Sequence, residues 1–123
     1  MSPEAPTTTA PLMVACLCAE WCGVCNAYTQ TFEALKARFP GVRFVWIDVE
    51  DEEDLIHPLE VENFPTLLIA LGHQARFFGP LRPQIETVER LIRAHLDDPD
   101  APALAHPDVA ALAARLSANA RSA

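Results

Sequence analysis

The chain has 123 residues, half of them apolar and 21% charged, with nine basic against seventeen acidic side chains and a net charge of −8. That length holds one domain, and that apolar content excludes a chain disordered throughout. The acidic balance argues against nucleic-acid binding, because a phosphate backbone would be repelled. The longest uncharged core-like run, Pro65 to Gln74, is half of what a bilayer span needs, so no membrane segment is expected. Met1 to Leu12 carries Glu4, no Lys or Arg and no apolar stretch. As written it is neither a secretory signal nor a transit peptide, and the expected location is the cytoplasm.

Residues 1–11 hold three prolines and three threonines and read as a loose N-terminal arm. Leu12 to Cys18 (LMVACLC) is a continuous apolar run suited to a buried strand. A tight loop follows through Cys22 and Gly23 to Cys25. The spacing of Tyr28, Phe32, Leu35 and Phe39 predicts a helix from about Val24 to Phe39, stopped by Pro40-Gly41. Val42 to Val49 is a second apolar strand, too apolar for an exposed edge unless the threonine arm or a C-terminal helix covers it. The acidic stretch Glu50 to Asp54 leads into Leu55-Ile56 as a short solvated helix, a face that disfavours acidic partners and favours basic ones only weakly. Thr66 to Leu71 and Gln74 to Phe78 form a hairpin around Gly72-His73. Pro83 opens a helix whose apolar face is Ile85, Val88, Ile92 and Leu96. After Asp97-Asp98-Pro99 a Pro/Ala linker runs to His106, and Pro107 to Leu116 makes a further helix. The expected division is an arm over 1–11, a domain over 12–96, and a linker with an added helix over 97–123. The order β-α-β-(α)-β-β-α predicts an α/β fold with a four-stranded mixed sheet.

All four cysteines, Cys16, Cys18, Cys22 and Cys25, fall within ten residues. A secreted scaffold would spread its cysteines to staple distant loops, so this cluster reads as a redox site, a metal site or an overlap of core and site residues. Cys22-Gly23-Val24-Cys25 lies where a strand turns into a helix. Two intervening residues bring the sulfurs within bonding reach, and the helix start offers unpaired N–H groups and the positive dipole end. A thiol so placed can fall from a pKa of about 8.5 to between roughly 3.5 and 7.5. Cys22, nearer the exposed end, is the expected nucleophile, and Cys25, a turn later, the resolving thiol. Gly23 keeps the approach open, and Trp21 offers a flat apolar surface.

Ala19-Glu20-Trp21-Cys22-Gly23-Val24-Cys25 closely resembles the active-site segment of the thioredoxin family. Phe64-Pro65-Thr66, about forty residues downstream, resembles that family's cis-proline loop, and Gly79 matches a third position. The resemblance spans roughly Leu12 to Leu96. It implies a thioredoxin fold, shortened at its N-terminal side and extended by a C-terminal helix. It also implies thiol–disulfide exchange with protein disulfide substrates, with no bound cofactor. Electrons would come from a reductase or a small thiol. It further implies that Trp21, Gly23, Val24, Phe64 and Pro65 form the substrate surface, with Pro65 cis and the Phe64 backbone set against Cys22. Four departures stand out. Val24 replaces the motif's usual proline, with a more oxidising pair expected. Cys16 stands where the family has a buried aspartate, and Trp46 where it has a lysine. Cys18 occupies a position that is usually aromatic.

Simpler readings stand beside these. Cys22-Cys25 as a fortuitous pair or half a zinc site is disfavoured by Trp21, Gly23 and Phe64-Pro65. Cys16 and Cys18 alternate around Leu17 and so share one sheet face, as small buried hydrophobes or as a second redox layer in which Cys16 pairs with Cys25. Four cysteines on one metal are disfavoured, since Cys16 and Cys18 have directions fixed by the strand. Trp46 reads as core under Cys25. The four histidines and Glu20 read as solvated. A thioredoxin-fold binding or regulatory module with little turnover is the alternative to an enzyme.

Overall fold

Seven consecutive apolar residues, Leu12–Cys18, form strand β1, and all seven are buried. A strand of this kind needs cover on both faces, which only an inner position supplies. The computed structural model describes residues 12–19, 23–57, 61, 65–72, 74–81, 84–98 and 100–118. After β1 come helix α1 (Gly23–Arg38), β2 (Arg43–Asp48), α2 (Glu53–Ile56), β3 (Thr66–Leu71), β4 (Gln74–Pro80), α3 (Ile85–Asp97) and α4 (Pro107–Ala118). The strands form one sheet in the order β2-β1-β3-β4. β1 runs parallel to β2 and antiparallel to β3, and β3 runs antiparallel to β4. The N-terminal arm and the Pro83 helix start lie outside the described residues.

Alternation along β1 divides the core in two. Val14, Cys16 and Cys18 face α1 and α3, where Tyr28, Phe32, Leu35, Val88 and Ile92 meet them. Met13, Ala15 and Leu17 face the other way, onto Val109, Leu112, Ala113 and Leu116 of α4. Tyr28, Phe32 and Leu35 follow one another at four and three residues, which puts them on one helix stripe. Arg93 and Arg38 both donate to the Glu89 carboxylate and hold it below the usual range, tying α1 to α3.

The C-terminal helix is part of this architecture. Arg115 donates to the carbonyls of Leu55 (2.8 Å) and His57 (3.2 Å), which joins α4 to α2. Arg43, at the start of β2, reaches the Leu116 carbonyl at 3.4 Å. The linker is pinned where Leu104 N–H donates to the Ala75 carbonyl at 2.8 Å.

Among the described residues β2 is the outermost strand on its side of the sheet, although its apolar sequence argues for cover. Helices cover part of its side chains, and the N-terminal arm, the other expected cover, lies outside the described residues. Phe44 packs into the α1 core, and Ile47 into the α4 core. The turn of the β3–β4 hairpin needs Gly72 for its conformation, since its φ of 63° lies in the left-handed region. β2 ends in a turn in which Asp48 Oδ1 accepts from the N–H groups of Glu50 (2.9 Å) and Asp51 (3.2 Å).

Leu112→Ala tests whether α4 is integral. Leu112 is fully buried, so its truncation should lower stability by about 2–5 kcal/mol, read as a lower urea midpoint. An unchanged midpoint would show that α4 is an appendage.

Candidate active site

Strand β1 ends at Cys18, and helix α1 begins at Gly23. The short return between them lays the first turn of the helix over the end of the strand. Cys25 sits in that turn, where backbone N–H groups lack intrahelical acceptors. Its side chain points down into the core instead of outward, and it is 1% exposed. There its sulfur is bonded to Cys18, with the two Cα atoms 5.8 Å apart. Cys16, two residues back on the same strand face, is a free thiol with its sulfur 3.4 Å from that of Cys18. Three of the four cysteines therefore form one buried cluster between β1 and α1.

A strand cysteine is bonded to Cys25, but it is not Cys16. The alternative reading paired Cys16 with Cys25; Cys18 holds that place, and Cys16 is the small buried thiol of the simpler reading. Both point toward α1, yet only the last residue of the strand is level with the helix's first turn. Cys16 lies one strand repeat deeper. A strand-terminal cysteine seven residues before a helix-start cysteine was the available signal. It is also the reason that Cys18 is more than a small buried hydrophobe.

Burial without a charged partner governs the local electrostatics. It pushes the Cys16 thiol far above its ordinary range, so Cys16 stays protonated. The Tyr28 phenol is raised chiefly by burial and secondly by Cys16. Its hydroxyl is buried and finds no hydrogen-bond partner among the described residues. A buried, unpaired hydroxyl costs folding free energy on the order of 1–3 kcal/mol.

Around this cluster the other predicted positions fall as follows. A Cβ built on Gly23 would meet no heavy atom within 4 Å, so the backbone there borders open space. Pro65 is buried, and its carbonyl accepts from Leu81 N–H at 3.3 Å. Leu17 pairs with Thr66, and the antiparallel register therefore brings Pro65 level with Cys18. Trp46 is not core beneath Cys25. It pairs with Cys16 across the sheet, but β2 is the edge, so its ring leans outward on Phe32 (5.4 Å between centroids) and remains 39% exposed. Trp21, Cys22, Phe64 and the Val24 side chain lie outside the described residues. Among the described residues, no group of three or more His, Cys, Asp or Glu is placed to hold a metal ion.

The family model described as Thioredoxin matches residues 7–88. This chain belongs to the thioredoxin family. It is 38% identical over 84 residues to a thioredoxin from Oryctolagus cuniculus, covering 66% of this chain and 80% of that one. Thioredoxin H2-1 from Oryza sativa subsp. japonica is 28% identical over 93 residues, covering 74% of this chain and 67% of the relative. The crystal structure of thioredoxin NaTrxh from Nicotiana alata superposes with a TM-score of 0.63 at 27% identity, over 70% of this chain and 74% of the other. The protein is a thiol–disulfide oxidoreductase of the thioredoxin fold, and the comparisons favour that over a docking module. Among the described residues no helix is long and apolar enough to cross a membrane.

This thioredoxin-family chain carries a buried, protonated thiol, Cys16, beside Cys18, and that has a pH signature. The folded state keeps the Cys16 proton, whereas the unfolded thiol loses it above about pH 8.5. The unfolded state then binds fewer protons, so stability present below that pH declines as pH rises. The expected slope is about 1.4 kcal/mol per pH unit. Urea titrations from about one unit above that pH should show this slope in wild type as an excess over Cys16→Ala. Parallel curves for the two proteins would mean that Cys16 is not held protonated.

Proposed function

We propose that this thioredoxin reduces disulfides in protein substrates, with Cys22 as the attacking thiol and Cys25 as the resolving thiol. Cys22 precedes Gly23, the first residue of α1. At that place the helix's unpaired N–H groups and dipole favour a thiolate. The Cys22 thiolate attacks a substrate disulfide, one substrate sulfur leaves as thiolate, and a mixed disulfide forms. Cys25 then attacks the Cys22 sulfur, and the second substrate sulfur leaves. The two electrons passed to substrate come from the dithiol, which closes to a disulfide.

The observation that carries this reading is the sulfur of Cys25. It sits in the first helical turn and is already within bonding distance of another cysteine. Trp21, Val24, Phe64 and Pro65 are the proposed substrate surface. Pro65 stands at the head of β3, level with the cysteine cluster, which suits a backbone that pairs with an extended substrate segment. The proposed setting is the cytoplasm, within cellular redox homeostasis. A reductase or small thiol returns the electrons, and no bound cofactor is needed. Nucleic acid and membrane are not among the proposed partners.

Insulin reduction with dithiothreitol as electron source tests the assignment. Cys22→Ser should fall to the rate of dithiothreitol alone. Cys25→Ser should lose turnover and, once reduced and freed of dithiothreitol before insulin is added, should trap a mixed disulfide at Cys22, visible by mass as protein plus substrate chain. Wild-type turnover retained in Cys22→Ser would remove Cys22 as the nucleophile.

A further inference from the structure

We propose that Cys18 is a third redox-active thiol of this site, able to take Cys25 from Cys22 and hold it in a buried disulfide. This rests on the Cys22/Cys25 reading above and adds a second oxidised state to it. The carrying observation is the Cys18–Cys25 bond, flanked by the free thiol of Cys16 at 3.4 Å.

The step is an isomerisation and needs no outside oxidant. In the Cys22–Cys25 disulfide, the Cys18 thiolate attacks the Cys25 sulfur. The Cys18–Cys25 bond forms, the Cys22–Cys25 bond breaks, and Cys22 leaves as thiolate. The proton lost by Cys18 is balanced by one taken up at Cys22 or by solvent. Exchange runs best toward the leaving thiol with the lower pKa. Cys22, at the helix start, is the better bearer of charge than a thiol buried at the strand end. Cys16 assists, since its retained proton can be donated to the Cys18 sulfur while that sulfur is charged.

Two consequences separate this state from an ordinary thioredoxin disulfide. Cys18 and Cys25 are each 1% exposed, so a dissolved thiol cannot reach their bond. Only Cys22, by attacking Cys25 again, returns the disulfide to the surface. The oxidised protein also keeps Cys22 as a free nucleophile. It can then attack a substrate disulfide without a resolving partner, which suits disulfide shuffling more than net reduction.

The cysteine spacing dictates the assay. No Lys or Arg precedes Lys36, so trypsin leaves all four cysteines in one peptide. Cleavage at Glu4, Glu20 and Glu33 instead gives fragments 5–20, with Cys16 and Cys18, and 21–33, with Cys22 and Cys25. The full chain is oxidised mildly by one disulfide equivalent, its free thiols are labelled with N-ethylmaleimide in urea, and the digest is sequenced by mass spectrometry. The expected major product is fragment 5–20 joined to 21–33 through Cys18 and Cys25, with label on Cys16 and Cys22. A disulfide confined to 21–33, with both cysteines of 5–20 labelled, would overturn the proposal and leave the Cys22/Cys25 reading intact. A link through Cys16 would overturn it as well. Cys18→Ala provides the second arm, in which the same oxidation should close Cys22–Cys25. Failure of that variant to close any pair would count against the Cys22/Cys25 reading itself, whatever wild type shows.

Discussion

The junction between β1 and α1 is the constraint on which the rest depends. A buried strand must end, and a helix must start, within a few residues of each other. The chain can do this only by folding the helix's first turn back over the strand's last residue. Cys18 and Cys25 are the two residues that this return superimposes. Their proximity thus follows from the fold, and the chemistry follows from where each sulfur lies. One cysteine of the motif, Cys22, comes just before the helix in sequence, while Cys25 lies inside the first turn and faces the core.

The two-sided core keeps that junction in place. β1 is covered by α1 and α3 on one face and by α4 on the other. With both faces buried, the register of β1 against β2 and β3 is fixed, because a slip of one residue would exchange the faces of Cys16, Leu17 and Cys18. The α4 helix therefore acts on the site at a distance. It fills the far side of the sheet, and its end is tied to β2 through Arg43 and to α2 through Arg115. The described floor of the site is apolar apart from its thiols and the Tyr28 hydroxyl. Among the described residues, no buried carboxylate or ammonium group lies beside Cys16, Cys18, Tyr28 and Cys25. The described proton-bearing groups there are thiols and the Tyr28 phenol, with sulfurs the nearest neighbours of Cys25.

Much of this was legible in the amino-acid order, and the exceptions have physical reasons. The strand Leu12–Cys18 declares itself by an unbroken apolar run, and α1 by the spacing of Tyr28, Phe32 and Leu35. The hairpin announces itself through Gly72. The position of β2 was not legible, because apolar content reports covered side chains and not whether the backbone edge is paired. Trp46 follows from the same ambiguity: a residue beside Cys16 on an inner strand would be core, but on the edge it leans out over Phe32. Cys16 and Cys18 were indistinguishable by alternation, which fixes a face and not a depth. Depth was decided by where the strand stops.

The account depends most directly on Cys22 being ionised near neutral pH by the helix start. Its rate of alkylation by limiting iodoacetamide, followed by mass in the reduced wild-type protein across pH, measures this. The account predicts a half-maximal rate at least about one unit below the ordinary thiol value of about 8.5. A midpoint at that ordinary value, with no faster-reacting cysteine in the chain, would contradict it.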